Sequence, residues 1–275
     1  FEVINSAGGF VKKEQLYPVH YQHGKVTLVS EIDTERINQS ARIDATPGAL
    51  ERMLYIDTET SGLSGGAGTF AFLIGVGFFE KDGFQLQQLI IRDPGEELAM
   101  LLHLSEIINQ DTIFVSFNGK SFDIPLLQNR FIINQLPIRF RELPHVDLLH
   151  ISRKLWRRSL PSCTLKELET SILGFSRSSE DVPGWMIPEM YFDYLRTGDA
   201  RPMKTVLYHN QMDVVSMAAL LRHTAALLTD PLQTPNVESS ELAALARLYE
   251  ELGEPDQAER YYLTCLERGM PEPLF

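Results

Sequence analysis

Asp57-Thr58-Glu59 sets two carboxylates two residues apart, directly after the apolar run Met53-Leu54-Tyr55-Ile56. That run reads as a strand, and residues i and i+2 of a strand face the same side. Asp57 and Glu59 are therefore expected to point together from the strand's C-terminal end. Paired carboxylates repel unless a cation sits between them, and a hard divalent ion with oxygen ligands suits that place. A lone D-x-E is more often just a solvated acidic strand end entering a turn. Two other chemistries fail on detail. A dehalogenase-type nucleophile loop would need D-x-D, and a P-loop would need a lysine that Gly65-Gly66-Ala67-Gly68-Thr69 lacks. That glycine run reads as a flexible turn between two strands.

Two further segments carry side chains of the same kind. Ser116-Phe117-Asn118-Gly119-Lys120-Ser121-Phe122-Asp123-Ile124-Pro125 puts Asp123 at a helix start. Taken singly, Asp123 is a helix N-cap, with Pro125 in the first turn. Tyr208-His209-Asn210-Gln211-Met212-Asp213 falls on a helix, where His209 and Asp213 at i and i+4 share a face. Tyr208 is turned well away from Asp213.

The order of these pieces is more specific than any one of them. A strand-borne D-x-E, then Asn-Gly…Asp at a helix start, then His…Asp on a late helix resembles the DEDD, proofreading-type exonucleases of the RNase H-like superfamily. More closely, the chain is similar to the bacterial YprB-type group, which joins such a domain to tetratricopeptide (TPR) repeats. The stretches D-T-E-T-S-G-L-S-G-G-A-G-T-F-A-F-L-I-G, S-F-N-G-K-S-F-D, S-C-T-L-K-E-L-E, D-V-P-G and H-N-Q-M-D-V-V-S carry the likeness, over about residues 50 to 225.

The resemblance implies an α/β, three-layer fold around a central mixed sheet. It implies that Asp57, Glu59, Asp123 and Asp213 hold two divalent ions, Mg²⁺ or Mn²⁺, for phosphodiester hydrolysis. It also implies a 3′–5′ exonuclease acting on single-stranded DNA or RNA. An endonuclease at the same site is one rival reading. A catalytically weak nucleic-acid-binding scaffold is another, which the complete carboxylate set disfavours. The superfamily places its general base as Tyr four residues before the last Asp, or as His five before it. Here the two types are exchanged, with His209 four before Asp213 and Tyr208 five before it. Helix geometry aims His209 at the metals, and an imidazole suits proton acceptance near pH 7. His209 is therefore the expected base, with Tyr208 left to packing or substrate contact.

Asn118 and Lys120 are expected to touch phosphate oxygens. Arg153, Lys154, Arg157, Arg158 and Lys166 form the densest basic cluster, with Trp156 inside it. The cluster is read either as a nucleic-acid grip, with Arg157 and Arg158 on the backbone and stacking on Trp156, or as a solvated helix face. Phe70 and Phe72 fit a buried strand better than base stacking. Asp147 is a further polar group expected near the active end of the sheet. His20 and His23 read as a turn histidine and a strand histidine, since no third ligand lies close in the chain.

The elements that must position these residues follow from periodicity. Leu16 to Val29 reads as a hairpin around His23-Gly24, within a separate lead-in spanning residues 1–45. The stretches 53–57, 70–79 and 83–92 read as three strands of a meander. Residues 96–109 then read as a helix, 112–117 as a strand, 122–131 as a helix and 145–149 as a strand, with helices continuing to Leu228. Strands interleaved with helices in this way give an α/β chain, assigned to residues 46–231. After the linker Pro231–Val237, residues 238–275 read as a TPR-like pair of helices around Gly253. Small residues there allow close helix approach, and one repeat cannot bury its own face, so more repeats or docking on the core are expected. A protein partner through this tail is expected too, as is a chain that stops inside a longer array. A start at Phe1 rather than Met leads to the expectation of residues upstream.

Composition is consistent with all of this. The chain has 275 residues and is 44% hydrophobic, enough for a large core. Its net charge of −12 argues against coating nucleic acid by charge alone, though not against gripping a short strand at one site. The longest apolar stretch, Thr69 to Phe79, contains Gly75 and Gly77 and is too short to span a bilayer as a helix, so no membrane contact is expected. Cys163 and Cys265 have no CxxC partner, which points to a reduced, cytoplasmic protein with neither disulfide nor zinc knuckle.

Overall fold

The computed structural model describes residues 1–28, 32–43, 49–62, 68–137, 140–232, 234 and 237–269. Gly65 to Ala67, part of the run assigned above to a flexible turn, lie outside them, as do Leu63 of the D-T-E-T-S-G-L stretch and Val29. The chain opens with β1 (Glu2–Asn5), β2 (Gly8–Pro18), β3 (Gln22–His23), β4 (Val26–Thr27) and α1 (Glu35–Ala41). The meander follows as β5 (Met53–Thr60), β6 (Ala71–Glu80) and β7 (Gly83–Ile90). Next come α2 (Glu97–Ile107), β8 (Ile113–Ser116), α3 (Asp123–Ile133), β9 (His145–Asp147), α4 (Leu148–Trp156), α5 (Leu165–Ser171), α6 (Ile187–Thr197) and α7 (Met203–Thr229). The last two helices are α8 (Ser239–Glu251) and α9 (Pro255–Glu267).

Seven strands form one mixed sheet in the order β1-β2-β7-β6-β5-β8-β9. β5 runs parallel to β8, and β8 parallel to β9; the other pairs are antiparallel. Alternation along the central strands feeds two cores. Met53 and Tyr55 of β5 with Ile113 and Val115 of β8 pack into one cluster with α4, α7 and α8. Leu54 and Ile56 with Phe114 pack into the other, with α2, α3 and α6. Burial on both faces explains why these strands read as continuous apolar runs rather than alternating ones. It also gives the expected helix–sheet–helix layering.

The lead-in is built into the sheet rather than standing apart from it. β2 pairs along β7 from Val11↔Ile90 to Pro18↔Gly83. A pairing across some seventy residues leaves no local signature, whereas the small hairpin of β3 and β4 does: its turn holds Gly24 at φ +61. His20 lies in a turn, and His23 is a buried strand residue stacked on Phe175 at 3.9 Å.

The C-terminal helical pair docks on the core. Leu242, Leu245 and Ala246 of α8 belong to the same cluster as α4 and α7. The Trp156 indole donates to Glu241 Oε1 at 2.8 Å, and the Tyr249 hydroxyl donates to the Leu228 carbonyl at 2.5 Å. Both cysteines are free. Among the described residues, no helix is long and apolar enough to cross a membrane.

Candidate active site

Asp57 and Glu59 sit at the carboxyl end of β5, the strand at which the sheet passes from antiparallel to parallel neighbours. Clefts in α/β sheets form outside strand ends at such switch points. The register against β6 slips between Glu59 and Thr60, the kind of bulge that re-aims side chains beside a site. The carboxyl end of β8 brings in the next acid. Asp123 opens α3, is buried, and accepts from the Thr58 N–H at 3.0 Å and the Thr58 hydroxyl at 2.5 Å. Its side chain caps no helix: the α3 N-cap position is Phe122, which makes no side-chain cap bond.

α7 supplies the third wall. Asn210 donates to Asp57 Oδ2 at 2.8 Å and is itself fixed by Gln88 at 2.9 Å. One ligand atom each from Glu59, His209 and Asp213 lie within 4.8 Å of one another. His209 Nε2 faces Asp213 Oδ2 at 3.5 Å. A cleft of about 290 Å³ opens beside these groups, lined by Asp57, Glu59, Asp123, Asn118 and Phe122.

The electrostatics are those of a site waiting for positive charge. Burial, then the neighbouring Asp213, Glu59 and Asp123, holds the Asp57 carboxyl well above the ordinary carboxylate range, against the Asn210 bond. Burial, with Asp213 and Asp123, does the same to Glu59. Burial lifts Asp123 to about 6, partly offset by its bonds to Thr58. Four carboxylates held this close fit a divalent-cation donor set, since cations relieve the cost that burial and repulsion impose.

Sequence reasoning missed the cation already present. The Arg177 side chain is 4% exposed and bonds Asp213, Glu169 at 2.6 Å and Asp181 at 3.4 Å. Buried charges persist when paired in this way. The chain of bonds runs deeper. Glu169 accepts from the Ser216 hydroxyl at 2.6 Å, and Ser216 Oγ meets His23 Nε2 at 2.8 Å. Asp181 is 7% exposed and accepts from His209 Nδ1 at 2.8 Å. The signal for Asp181 was in the D-V-P-G stretch, and Arg177 stands four residues before it. Asn210 adjoins His209 in sequence, but nothing local says that it reaches Asp57.

The other expected residues divide. Asn118 lines the carboxylate cleft with a left-handed backbone at φ +67. Lys120 is exposed in the same loop. Asp147 is fully buried and holds that loop, accepting from the N–H groups of Asn118 at 2.8 Å, Lys120 at 3.1 Å and Leu149 at 3.1 Å. The basic cluster does not gather at the cleft. Lys154 pairs with Glu251 of α8 at 2.7 Å, and Arg158 lies near Tyr262 of α9. Arg157 follows the end of α4, the end remote from Asp147. Only Lys166 reaches the site, 3.5 Å from Asp181. Stacking on Trp156 is ruled out, because the indole is 0% exposed beneath α8. Phe72 is likewise buried, stacked on Tyr191 at 4.0 Å. Tyr208 accepts from the Ser178 N–H at 2.9 Å, so it braces the loop that carries Asp181.

A mixed sheet with Asp57, Glu59 and Asp123 gathered at its switch point and a fourth carboxylate, Asp213, on a crossing helix defines an RNase H-like α/β domain. The RNase_H superfamily model matches residues 54–225, well over half of the chain, and the chain belongs to that superfamily. It is 33% identical over 270 residues to the uncharacterized protein YprB of Bacillus subtilis (strain 168), an alignment covering 94% of this chain and 63% of that protein. The chain therefore spans less than two thirds of that relative. Solved structures similar to it include an E. coli exonuclease I–ssDNA complex, at 15% identity and TM-score 0.43 over 66% of this chain and 41% of that one. Another is the family B DNA polymerase of Pyrobaculum calidifontis, at 14% identity and TM-score 0.47, covering 88% and 33%.

Proposed function

We propose that this chain is a divalent-metal-dependent nuclease that hydrolyses single-stranded DNA or RNA from the 3′ end. The observation that carries the reading is the convergence of Asp57, Glu59, Asp123 and Asp213 with His209 at one cleft. The four carboxylates would hold two ions, Mg²⁺ or Mn²⁺. Bound there, such ions polarise a phosphodiester and make a water more acidic. The protein's own groups do the rest. His209, oriented through Nδ1 by Asp181, presents Nε2 to the acidic side of the cleft as the acceptor of a water proton. Asn210 and Thr58 fix the rotamers of Asp57 and Asp123. Phe122, 61% exposed on the lining, offers a face to an unpaired base. The helical pair α8–α9 is read as TPR-like, a surface for a protein partner, and a cytoplasmic setting fits its two free thiols.

The test is cleavage of end-labelled single-stranded DNA and RNA with Mn²⁺, Mg²⁺ or EDTA, wild type beside Asp57→Asn. The expected result is a metal-dependent ladder, lost in the variant, that shortens from the 3′ end and leaves a closed circular strand intact. Cleavage of the circle would make the enzyme an endonuclease. Full activity in Asp57→Asn, or no cleavage of any strand by folded wild type, would overturn the proposal.

A further inference from the structure

A second cleft lies behind the loop that carries Asn118 and Asp123. It has a volume of about 440 Å³ and gathers Arg42, Lys120 and Arg141 from three separate places. Arg42 is the left-handed residue that ends α1, at φ +55. Lys120 follows β8, and Arg141 lies in the 3-10 turn Phe140–Glu142. All three are exposed, and none is ion-paired with a described residue. Among the described residues, no acidic side chain lines the cleft. His145 also borders it but adds no charge at neutral pH, because burial above all holds its imidazole down at about 4. The rest of the wall is apolar, including Ile43, Ile124 and Phe140.

Cations gathered without acids attract a polyanion, and the more so in a chain whose net charge is −12. The position of the cleft says which one. It shares a wall with the carboxylate cleft: Asn118 lines the acidic side and Lys120 the basic side, and the adjacent Asp123 and Ile124 divide in the same way. Residues two apart in a chain are separated by at most about 7 Å. A strand crossing that wall from the carboxylates would reach Lys120 within a few nucleotides, and Arg42 and Arg141 line the same cleft. The Lys120 end of the wall is held in place through its N–H on Asp147.

We propose that this basic cleft binds backbone phosphates of the same single strand whose end occupies the carboxylate cleft. The inference rests on the nuclease reading and adds a second grip on the strand, which makes binding depend on strand length and salt. The test compares wild type with Arg42→Ala/Arg141→Ala on (dT)3, (dT)12 and (rU)12. Cleavage kinetics in Mn²⁺ give kcat and KM, and fluorescence anisotropy gives binding and its salt slope. For both 12-mers KM should rise about 10-fold with kcat unchanged, and the log–log salt slope should fall by about 1.4, near 0.7 for each phosphate that is no longer neutralised. The trimer should be unaffected. Wild-type KM and slope for the 12-mers, or an equal loss on the trimer, would sink the idea. Should wild type cleave nothing, the nuclease reading falls. The anisotropy still decides the cleft: weaker 12-mer binding by the double variant supports it, and equal binding overturns it.

Discussion

Asp181 matters because of the nitrogen it leaves free. By accepting from Nδ1 of His209, it turns Nε2 toward Asp213 and Glu59. Asp181→Asn should keep the fold and lower kcat by about 10–100-fold with KM unchanged, the usual penalty for removing a partner that orients a functional imidazole. Steady-state kinetics check this, and a variant with wild-type kcat would remove Asp181 from the mechanism. His209→Ala should cost about 10²–10⁴ in kcat, against a small effect for Tyr208→Ala, and the reverse ranking would overturn the choice of base. Asp57→Asn tests the stored repulsion directly. In EDTA it should melt above wild type, because burial and three acidic neighbours penalise the ionised Asp57 carboxyl. Added Mn²⁺ should then raise the wild-type midpoint and leave the variant unmoved. At this scale the sequence disclosed the acids and the histidine, since their types and spacing are local. Arg177 and Asn210 were hidden, because their partners come from distant segments. Asp123 looked like a cap, and only the fold turns its carboxylate to Thr58.

At the scale of elements, the glycines of β6 have the clearest role. In sequence they merely interrupt an apolar run, yet each leaves room for a close neighbour from α7, Asn210 at Gly75 and Val214 at Gly77. A Cβ on Gly75 would stand 2.4 Å from Asn210 Oδ1, and one on Gly77 would stand 2.3 Å from Phe84 and 2.7 Å from Val214. Both alanine variants should lose about 1–3 kcal/mol in urea unfolding through overpacking. They should differ in function. Gly75→Ala displaces the residue that bonds Asp57, so it should weaken Mn²⁺ binding measured by calorimetry, whereas Gly77→Ala should not. Equal metal affinities would detach Asn210 from the site. The strands β5 to β7 were legible because adjacent antiparallel strands announce themselves in order. The pairing of β2 with β7 was not, for Gly8–Pro18 has no apolar–polar alternation and its partner lies some seventy residues on.

Over the whole molecule, three histidines tie stability to pH. Burial holds the imidazoles of His23, His145 and His223 down at about 4. Their unfolded value is near 6.5, so between those limits the unfolded chain binds more protons than the folded one. Their contribution is full above pH 6.5 and is lost as pH falls toward 4, about 1–2 kcal/mol for a buried one such as His23 by pH 5. The buried acids of the cleft, held above their ordinary range, shift the total the other way, so the His23 share is read by difference: in chemical denaturation at pH 7 and pH 5, wild type should lose about 1–2 kcal/mol more than His23→Gln. The layered architecture could be read from the interleaving of strands and helices. The docking of α8 over Trp156 could not, and it takes the indole away from any nucleic-acid surface.

Arg177 has a consequence for how such a chain lives before it works. Its guanidinium already answers the charge of Asp213 and Asp181 in the folded protein. An incoming divalent ion therefore trades with a resident cation instead of filling an empty cage. Folding need not wait for metal supply, and arming becomes a separate, later event. Under the proposed function, the folded chain would stay inert until divalent ions displaced that guanidinium.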